Sequence, residues 1–523
     1  MNMKKNILLL TILVLSGLFC SAQQLPANWY NLDLQNDSVY GVSTNKAYET
    51  ILKGKKSSTV IVAVIDDGTD VDHPDLAGQI WTNKKEIPGN KIDDDNNGYP
   101  DDIHGWNYLG NAEEDIVMEN MEVTRIVRKY QSVFVDSNNI KSQPEKYQEY
   151  LNAKAIYDKK LAEYTKTDER LSKMLNFIEA MNKKFGKDSL SMQEVAGFYT
   201  ADSTLIKMKE RMVSLMDKGT TYPSYVSELK RGYKNNKDHI DYHMNIAYDA
   251  RKIIHDDYEN INDRSYGNNH VKSPDGDHGT HVSGIIGAVR GNNMGTDGVA
   301  SNVQLMILRV VPNGDERDKD IALAIRYAAD NGARIINMSF GKPVPYNKKA
   351  VDDAVKYAAS KNVLLVHAAG NESLNLDVEK RYPNPNYLGE KRNARKNWLD
   401  VGANAADGNP GVFSNYGKKY VDLFAPGVKI TSTLPNNGYG PKNGTSMASP
   451  VAAGVAALIL SYYPQISAEQ LKKLLVKTAV RPTIMVKKPG TKDVMVKYKD
   501  LCITAGIINA YEAAKLAERK FGK

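Results

Sequence analysis

The sequence predicts an α/β fold: a doubly wound, mainly parallel sheet flanked by helices, with an all-α insertion set into it. Three observations carry this reading. The run Ser58–Ile65 (Ser-Thr-Val-Ile-Val-Ala-Val-Ile) is apolar and β-branched, the pattern of a strand buried on both faces of a parallel sheet. In the second half of the chain, helical and strand patterns alternate, which implies βα units. Between about residues 112 and 261 glycine becomes scarce, and Lys, Glu, Tyr and Met recur at helical spacing.

The chain divides accordingly into 1–22, 23–57, 58–111, 112–261 and 262–515. Residues 1–22 read as a signal peptide: a basic start, an apolar stretch from Ile7 to Phe19 too short for a comfortable membrane span, and a small-residue exit at Cys20-Ser21-Ala22. Cleavage after Ala22 leaves Gln23 first and implies export, to the periplasm or outside the cell. A lipoprotein anchor at Cys20 is the alternative, disfavoured by the bulky Phe19 before it. Cleavage also leaves Cys502 as the only thiol, so no internal disulfide forms. Residues 23–57 are polar and without clear periodicity, a lead-in segment and not a domain.

With 523 residues, 41% hydrophobic and 25% charged, the chain has the material for a large core. Its net charge of +7 is spread along the chain and leaves no nucleic-acid footprint. No second apolar segment is long enough for a stable membrane span.

The first predicted strand ends in Asp66-Asp67-Gly68, and acidic residues past the C-terminal end of a buried strand lie where open α/β sheets build their sites. Next comes Asp93-Asp94-Asp95-Asn96-Asn97-Gly98-Tyr99-Pro100-Asp101-Asp102. Oxygen ligands at alternate positions suit a structural calcium ion, with Asp93, Asp95, Asn97 and Asp102 as side-chain ligands and Tyr99 as a carbonyl donor. A solvated acidic turn is the other reading, but its carboxylates would repel one another without a cation.

In the insertion, Tyr157, Leu161, Tyr164 and Leu171, Leu175, Ile178 fall at helical spacing as core stripes, with breaks expected near Asn138, Gly186, Gly219 to Pro223 and Gly232. His278, at a helix start, faces a cleft. His281, one turn on among Val and Ile, reads as packed. No third ligand follows at zincin spacing. Helices over Asp320–Asn331 and Lys348–Ser360 feed strands at Ala333–Met338 and Val363–His367, with further strands at Trp398–Gly402 and Tyr420–Phe424. Two of these strands end in turns, Ser339-Phe340-Gly341 and Ala368-Ala369-Gly370-Asn371, whose glycines let a backbone approach a ligand. Ser467 with Gln470 forms a capping box for a helix reaching Thr478.

Ser446 opens a helix, Val451 to Ile459 being small and apolar on all sides. A hydroxyl there lies in the field of free N–H groups that favours an anionic intermediate. Alone, the residue reads as a helix cap, the commoner use of Ser and Thr at such a position.

Three blocks together resemble the subtilisin-like serine endopeptidases, or subtilases: Val64-Ile65-Asp66-Asp67-Gly68, His278-Gly279-Thr280-His281-Val282-Ser283-Gly284, and Gly444-Thr445-Ser446-Met447-Ala448-Ser449-Pro450. The Asp, His, Ser chain order also matches. The resemblance covers about 58–111 and 262–515. It implies Ser446 as nucleophile, His278 as general base and then acid, Asp66 as the residue holding the imidazole, and Asn371 as an oxyanion-hole amide. It implies that Ser339, Phe340, Gly341, Ala368, Ala369 and Gly370 line a cleft where a protein or peptide substrate pairs as an added strand. Asp67 and Asp277 depart from the pattern, and their charge is expected to raise the His278 pKa. The segment between Gln23 and the first strand is short for a folding propeptide. An envelope peptide-processing transpeptidase and an inhibited peptide-binding protein are the alternative functions. The insertion gates the cleft, binds a partner or only decorates the fold.

Overall fold

The structure, a computed structural model, describes residues 25–273, 276–391 and 393–522. The expected signal peptide and Cys20 lie outside the described residues. Seven parallel strands form the main sheet: β1 (Val60–Asp66), β2 (Gly105–Asn107), β3 (Val303–Arg309), β4 (Ile335–Met338), β5 (Leu364–Ala368), β6 (Trp398–Asn404) and β7 (Leu423–Pro426), in the order β2-β3-β1-β4-β5-β6-β7. The chain crosses from β3 over β1 to β4, so the strand order reverses around β1 and opens a crevice beyond its C-terminal end.

Alternation within β1 explains why its sequence is apolar throughout. Val60, Val62 and Val64 join one core with the helices Asp277–Gly287 and Thr445–Tyr462, while Ala63 and Ile65 join the other, under Asp318–Asp330 and Lys348–Ser360. Strands β2 and β3 were not anticipated, although the apolar run of β3 carries the same signal as β1. The last sheet strand begins three residues later than expected, at Leu423. The Ser467–Gln470 capping box is present, on the helix Ala468–Thr478. A hairpin of β8 (Ile430–Leu434) and β9 (Gly438–Lys442) packs beside the His278 helix.

Thr445–Tyr462 is the one helix among the described residues long and apolar enough to cross a membrane, and 89% of that window is buried inside the protein. Cys502 is a free, buried thiol. Residues 25–57 are more than a lead-in: Trp29, Tyr30, Val42 and Leu52 are buried in the main core, and Tyr30 donates its hydroxyl proton to the Asp297 carbonyl at 2.7 Å.

Between β2 and β3 lies the helical stretch. Its longest helix, Pro144–Phe185, carries both expected stripes on one rod. Tyr157 serves one core with Val123 and Met244, whereas Ile178 serves a second with Met208 and Tyr222. Gly186 ends that helix at φ +66°, as expected of a left-handed C-cap. Gly232, expected as a break, instead lies inside the helix Tyr222–Asp238. A lone glycine costs a helix only about 1 kcal/mol relative to alanine, so its neighbours' packing decides. The stretch leaves and returns at one place, because Met121 N–H and the Thr124 hydroxyl both donate to the His243 carbonyl, at 2.9 and 2.8 Å.

Its root is tied to the sheet by buried charges. Lys342, fully buried, contacts Glu122 at 2.6 Å and Asp318 at 2.7 Å. Arg125 donates to both Glu122 oxygens, at 2.8 and 2.9 Å, and to the carbonyls of Asp315 and Glu316. Burial alone would raise the Glu122 carboxyl, but Arg125 and Lys342 hold it down at about 2.

Candidate active site

Asp66 is the last residue of β1 and is 2% exposed. Its Oδ1 accepts from the Asp67 N–H at 2.9 Å and faces His278 Nδ1 at 2.7 Å. An imidazole held at Nδ1 by a carboxylate carries its proton there when neutral, which leaves Nε2 as the basic nitrogen. The Asp277–Gly287 helix begins close against the turn after β1. A Cβ at Gly279 would lie 2.1 Å from the Gly68 carbonyl, so only glycine permits this approach.

Asp67, unanticipated in this role, caps that helix from another part of the chain. Its carboxylate accepts from the Gly279 N–H at 2.6 Å and from the His278 N–H at 3.3 Å. Burial disfavours the imidazolium of His278, but Asp66 and then Asp67 outweigh it and raise the pKa from 6.5 to about 9. Burial and the Asp66 charge push the Asp67 carboxyl up as well, to about 8. His281 is buried, faces the Gly440 carbonyl at 3.0 Å through Nε2, and is lowered to about 4 by burial. That fits the packed role expected of it.

Ser446 stands in the first turn of the helix Thr445–Tyr462. Pro450 lies four residues on and has no N–H, so the Ser446 carbonyl lacks its intrahelical donor. The Ser339 hydroxyl fills that place at 3.0 Å. Ser339 also accepts from Asn337, which in turn accepts from the Ser449 hydroxyl at 2.8 Å, so the helix start is pinned to the end of β4. The Ser446 hydroxyl itself donates to the Ser339 carbonyl at 3.1 Å, rather than to His278.

Asn371 follows β5, and its Oδ1 accepts from the Thr445 N–H at 2.8 Å and the Thr445 hydroxyl at 3.1 Å. The helix is thus capped from outside, and the Asn371 amide presents its Nδ2 as the remaining group. Phe340 is fixed through its carbonyl by His367 Nε2 at 3.1 Å, while His367 Nδ1 faces Asp400 Oδ1 at 2.8 Å. Ala368 and Ala369 are buried at the end of β5, and the Gly370 N–H donates to the Thr445 hydroxyl at 3.0 Å. Gly341 accepts from Arg381 at 3.0 Å through its carbonyl.

The acidic loop is organised by a residue that sequence reasoning missed. Glu86, 5% exposed, accepts from the N–H groups of Asp94, Asp95 and Asp101. Oxygens of Glu86, Asp93 and Asp95 lie within 4.8 Å of one another. Asn97 turns its Oδ1 onto the Tyr99 N–H at 2.8 Å. Asp102 accepts from Asn83, Asn97 and Tyr327, and burial still pushes its carboxyl up to about 6. The Tyr99 ring packs edge-on against Trp106 and Tyr327. Asp93 and Asp95 are therefore gathered, whereas Asn97 and Asp102 are engaged elsewhere.

A cavity of about 530 Å³ opens beside His278. Its lining includes Asp67 and Ser339–Gly341 and also Lys234, Asn235 and Asp238 of the insertion. No periodicity pointed to this meeting.

Known proteins resemble the chain in part. It is 39% identical over 204 residues to alkaline elastase YaB from Bacillus sp. (strain YaB), covering 39% of this chain and 50% of that protein. It is 37% identical over 227 residues to subtilisin DY from Bacillus licheniformis, covering 43% and 78%. The chain thus spans half the length of the first of these relatives. A solved structure from Pseudoalteromonas arctica PAMC 21717, described as a protease, is 29% identical with a TM-score of 0.38, covering 46% of this chain and 70% of that one. The sequence profile of the subtilase family matches residues 57–502, most of the chain, and the chain belongs to that family.

Proposed function

We propose that the protein is an exported serine endopeptidase that hydrolyses peptide bonds through an acyl-enzyme. The observation that carries this is the 2.7 Å contact of His278 Nδ1 with the buried Asp66, set beside a serine at a helix start. In this reading Ser446 is the nucleophile, His278 Nε2 takes its proton and later delivers it to the leaving amine, and Asp66 holds the ring and stabilises its cationic form. An extended peptide lying along Ser339–Gly341 and Ala368–Gly370 donates an N–H to the Ser339 carbonyl. That displaces the Ser446 hydroxyl from its present acceptor, and rotation about Cα–Cβ turns it toward His278. The Asn371 Nδ2 and the Ser446 N–H then face the oxyanion.

Calcium is the structural ion we propose for the acidic loop. Three carboxylates converging within 4.8 Å, from Glu86, Asp93 and Asp95, fit a hard divalent cation that offsets their repulsion. The catalytic reading is tested by labelling the mature protein with a fluorophosphonate probe, with Ser446→Ala as control. Failure of folded wild-type protein to label refutes it.

A further inference from the structure

The insertion adds residues to the substrate cleft that the catalytic steps do not use. Val117 and Met118, from its start, and Lys234, Asn235 and Asp238, from the end of the helix Tyr222–Asp238, line the cavity together with His278 and Ser339–Gly341. Lys234 and Asp238 pair with each other at 2.9 Å, so the charges of that helix end offset and what it presents to the cleft is bulk.

Both groups are fastened in place. The Asn313 N–H donates to the Val117 carbonyl at 2.8 Å, and the Glu119 N–H donates to the Asn313 carbonyl at 2.9 Å. The start of the insertion is thus laid as a parallel strand along the cleft rim, and it uses both backbone groups of Asn313. The helix end is held from behind: the Asn236 amide donates to the Tyr164 carbonyl at 3.1 Å, and the His239 ring stacks on the Tyr164 ring with centroids 4.2 Å apart. Asn120 donates to the Tyr242 carbonyl at 2.6 Å and closes the return. Backbone pairing, ring stacking and buried side-chain bonds make this a standing wall and not a lid.

We infer that the insertion is a fixed specificity wall, which admits an extended chain to the cleft and holds off folded protein surfaces, so that the substrates are short peptides and unfolded polypeptides. The inference rests on the endopeptidase reading. There, the peptide N–H that replaces the Ser446 hydroxyl on the Ser339 carbonyl belongs to the residue under attack. Residues before the cut then continue along Phe340 and Gly341, in the part of the cleft that the insertion lines. An extended peptide is one chain wide, whereas a loop on a folded protein brings the body behind it. Exposed loop tips are where folded proteins are ordinarily nicked, and a helix about 10–12 Å across beside the cleft meets that body first. Asn235, exposed at the helix end, is the side chain that a substrate residue before the cut meets.

The test offers one cleavable sequence in two forms, as a free peptide and as a surface loop of a folded host protein, with fluorophosphonate labelling of Ser446 run in parallel. The full mature protein is compared with a variant whose residues 131–238 are replaced by a short Gly/Ser linker, which keeps Glu122, Arg125 and the His243 contacts. The variant is expected to raise the loop-to-peptide ratio of kcat/KM at least tenfold. A second variant, Asn235→Trp, adds bulk to the wall and reports even if the deletion fails to fold. In a peptide library, it is expected to lower the Phe-to-Gly ratio of kcat/KM at least threefold at one of the four positions before the cut, mainly through KM, with positions after the cut unchanged. A loop-to-peptide ratio that the labelled deletion variant leaves unchanged overturns the wall, as does a library profile that Asn235→Trp leaves intact. Absence of labelling in the wild-type protein overturns the endopeptidase reading, and the wall with it.

Discussion

Replacing Asp67 by Asn removes one charge beside His278 and keeps a side-chain oxygen for the Gly279 N–H at the helix start. In the native site the His278 pKa rises from 6.5 to about 9, which at 1.36 kcal/mol per unit is roughly 3 kcal/mol in favour of the imidazolium. Asp66 supplies most of it, through charge and hydrogen bond, and Asp67 ranks after it. The Asp67 carboxyl itself ionises near 8, so its charge is present where His278 titrates. Its removal should lower the His278 pKa by on the order of one unit, the low end for an opposite charge a few ångströms away. A general base works deprotonated, so activity rises with pH through this value. The assay is kcat/KM against pH for a short neutral peptide at constant ionic strength. The wild-type rise is expected near pH 9 and that of Asp67→Asn near 8. A wild-type rise at about 6.5, or coincident rises in the two proteins, refutes the reasoning.

Asn371→Ala should lower kcat by about 10²–10³, or ~2.7–4 kcal/mol, with KM little changed, measured on the same peptide. Lys342→Met strips a buried partner from Glu122 and Asp318 and should cost ~3–5 kcal/mol in urea unfolding. Glu122, held at about 2, should lose its contribution to stability as pH falls from its ordinary value of 4.5 toward 2, visible as a falling Tm over that window. Chelation should lower Tm if calcium holds the acidic loop, by about 2.7 kcal/mol of stability for calcium present at 100-fold above Kd. Glu86→Gln should reproduce much of that loss, and an unchanged Tm in both experiments removes the cation from the loop.

What was legible in the sequence is what local patterning encodes. β1 could be read because its residues point alternately into two cores, and the Ser446 helix because it is buried on every side. The pairing of Asp66 with His278 followed from their motifs and not from spacing, since more than two hundred residues separate them. Glu86 escaped notice because it lies outside the acidic run and acts through backbone N–H groups brought to it by folding. Asp67 looked like an extra charge, and its capping of a distant helix needs the tertiary fold. The cavity wall formed by Lys234, Asn235 and Asp238 is illegible for the same reason: the helix carrying them reads as an ordinary amphipathic rod.

The shared carbonyl of His243 makes the insertion a cassette. A chain that departs and comes back within a hydrogen bond of itself can be lengthened, shortened or exchanged without asking the parent sheet to move. The useful cut sites lie beyond Arg128, since Glu122 and Arg125 belong mechanically to the sheet although they precede the long helix. Grafting the outer helices onto a relative without them would carry a ready-made cleft wall. Trimming them here would leave the buried ion pairs in place and turn a walled crevice into an open groove.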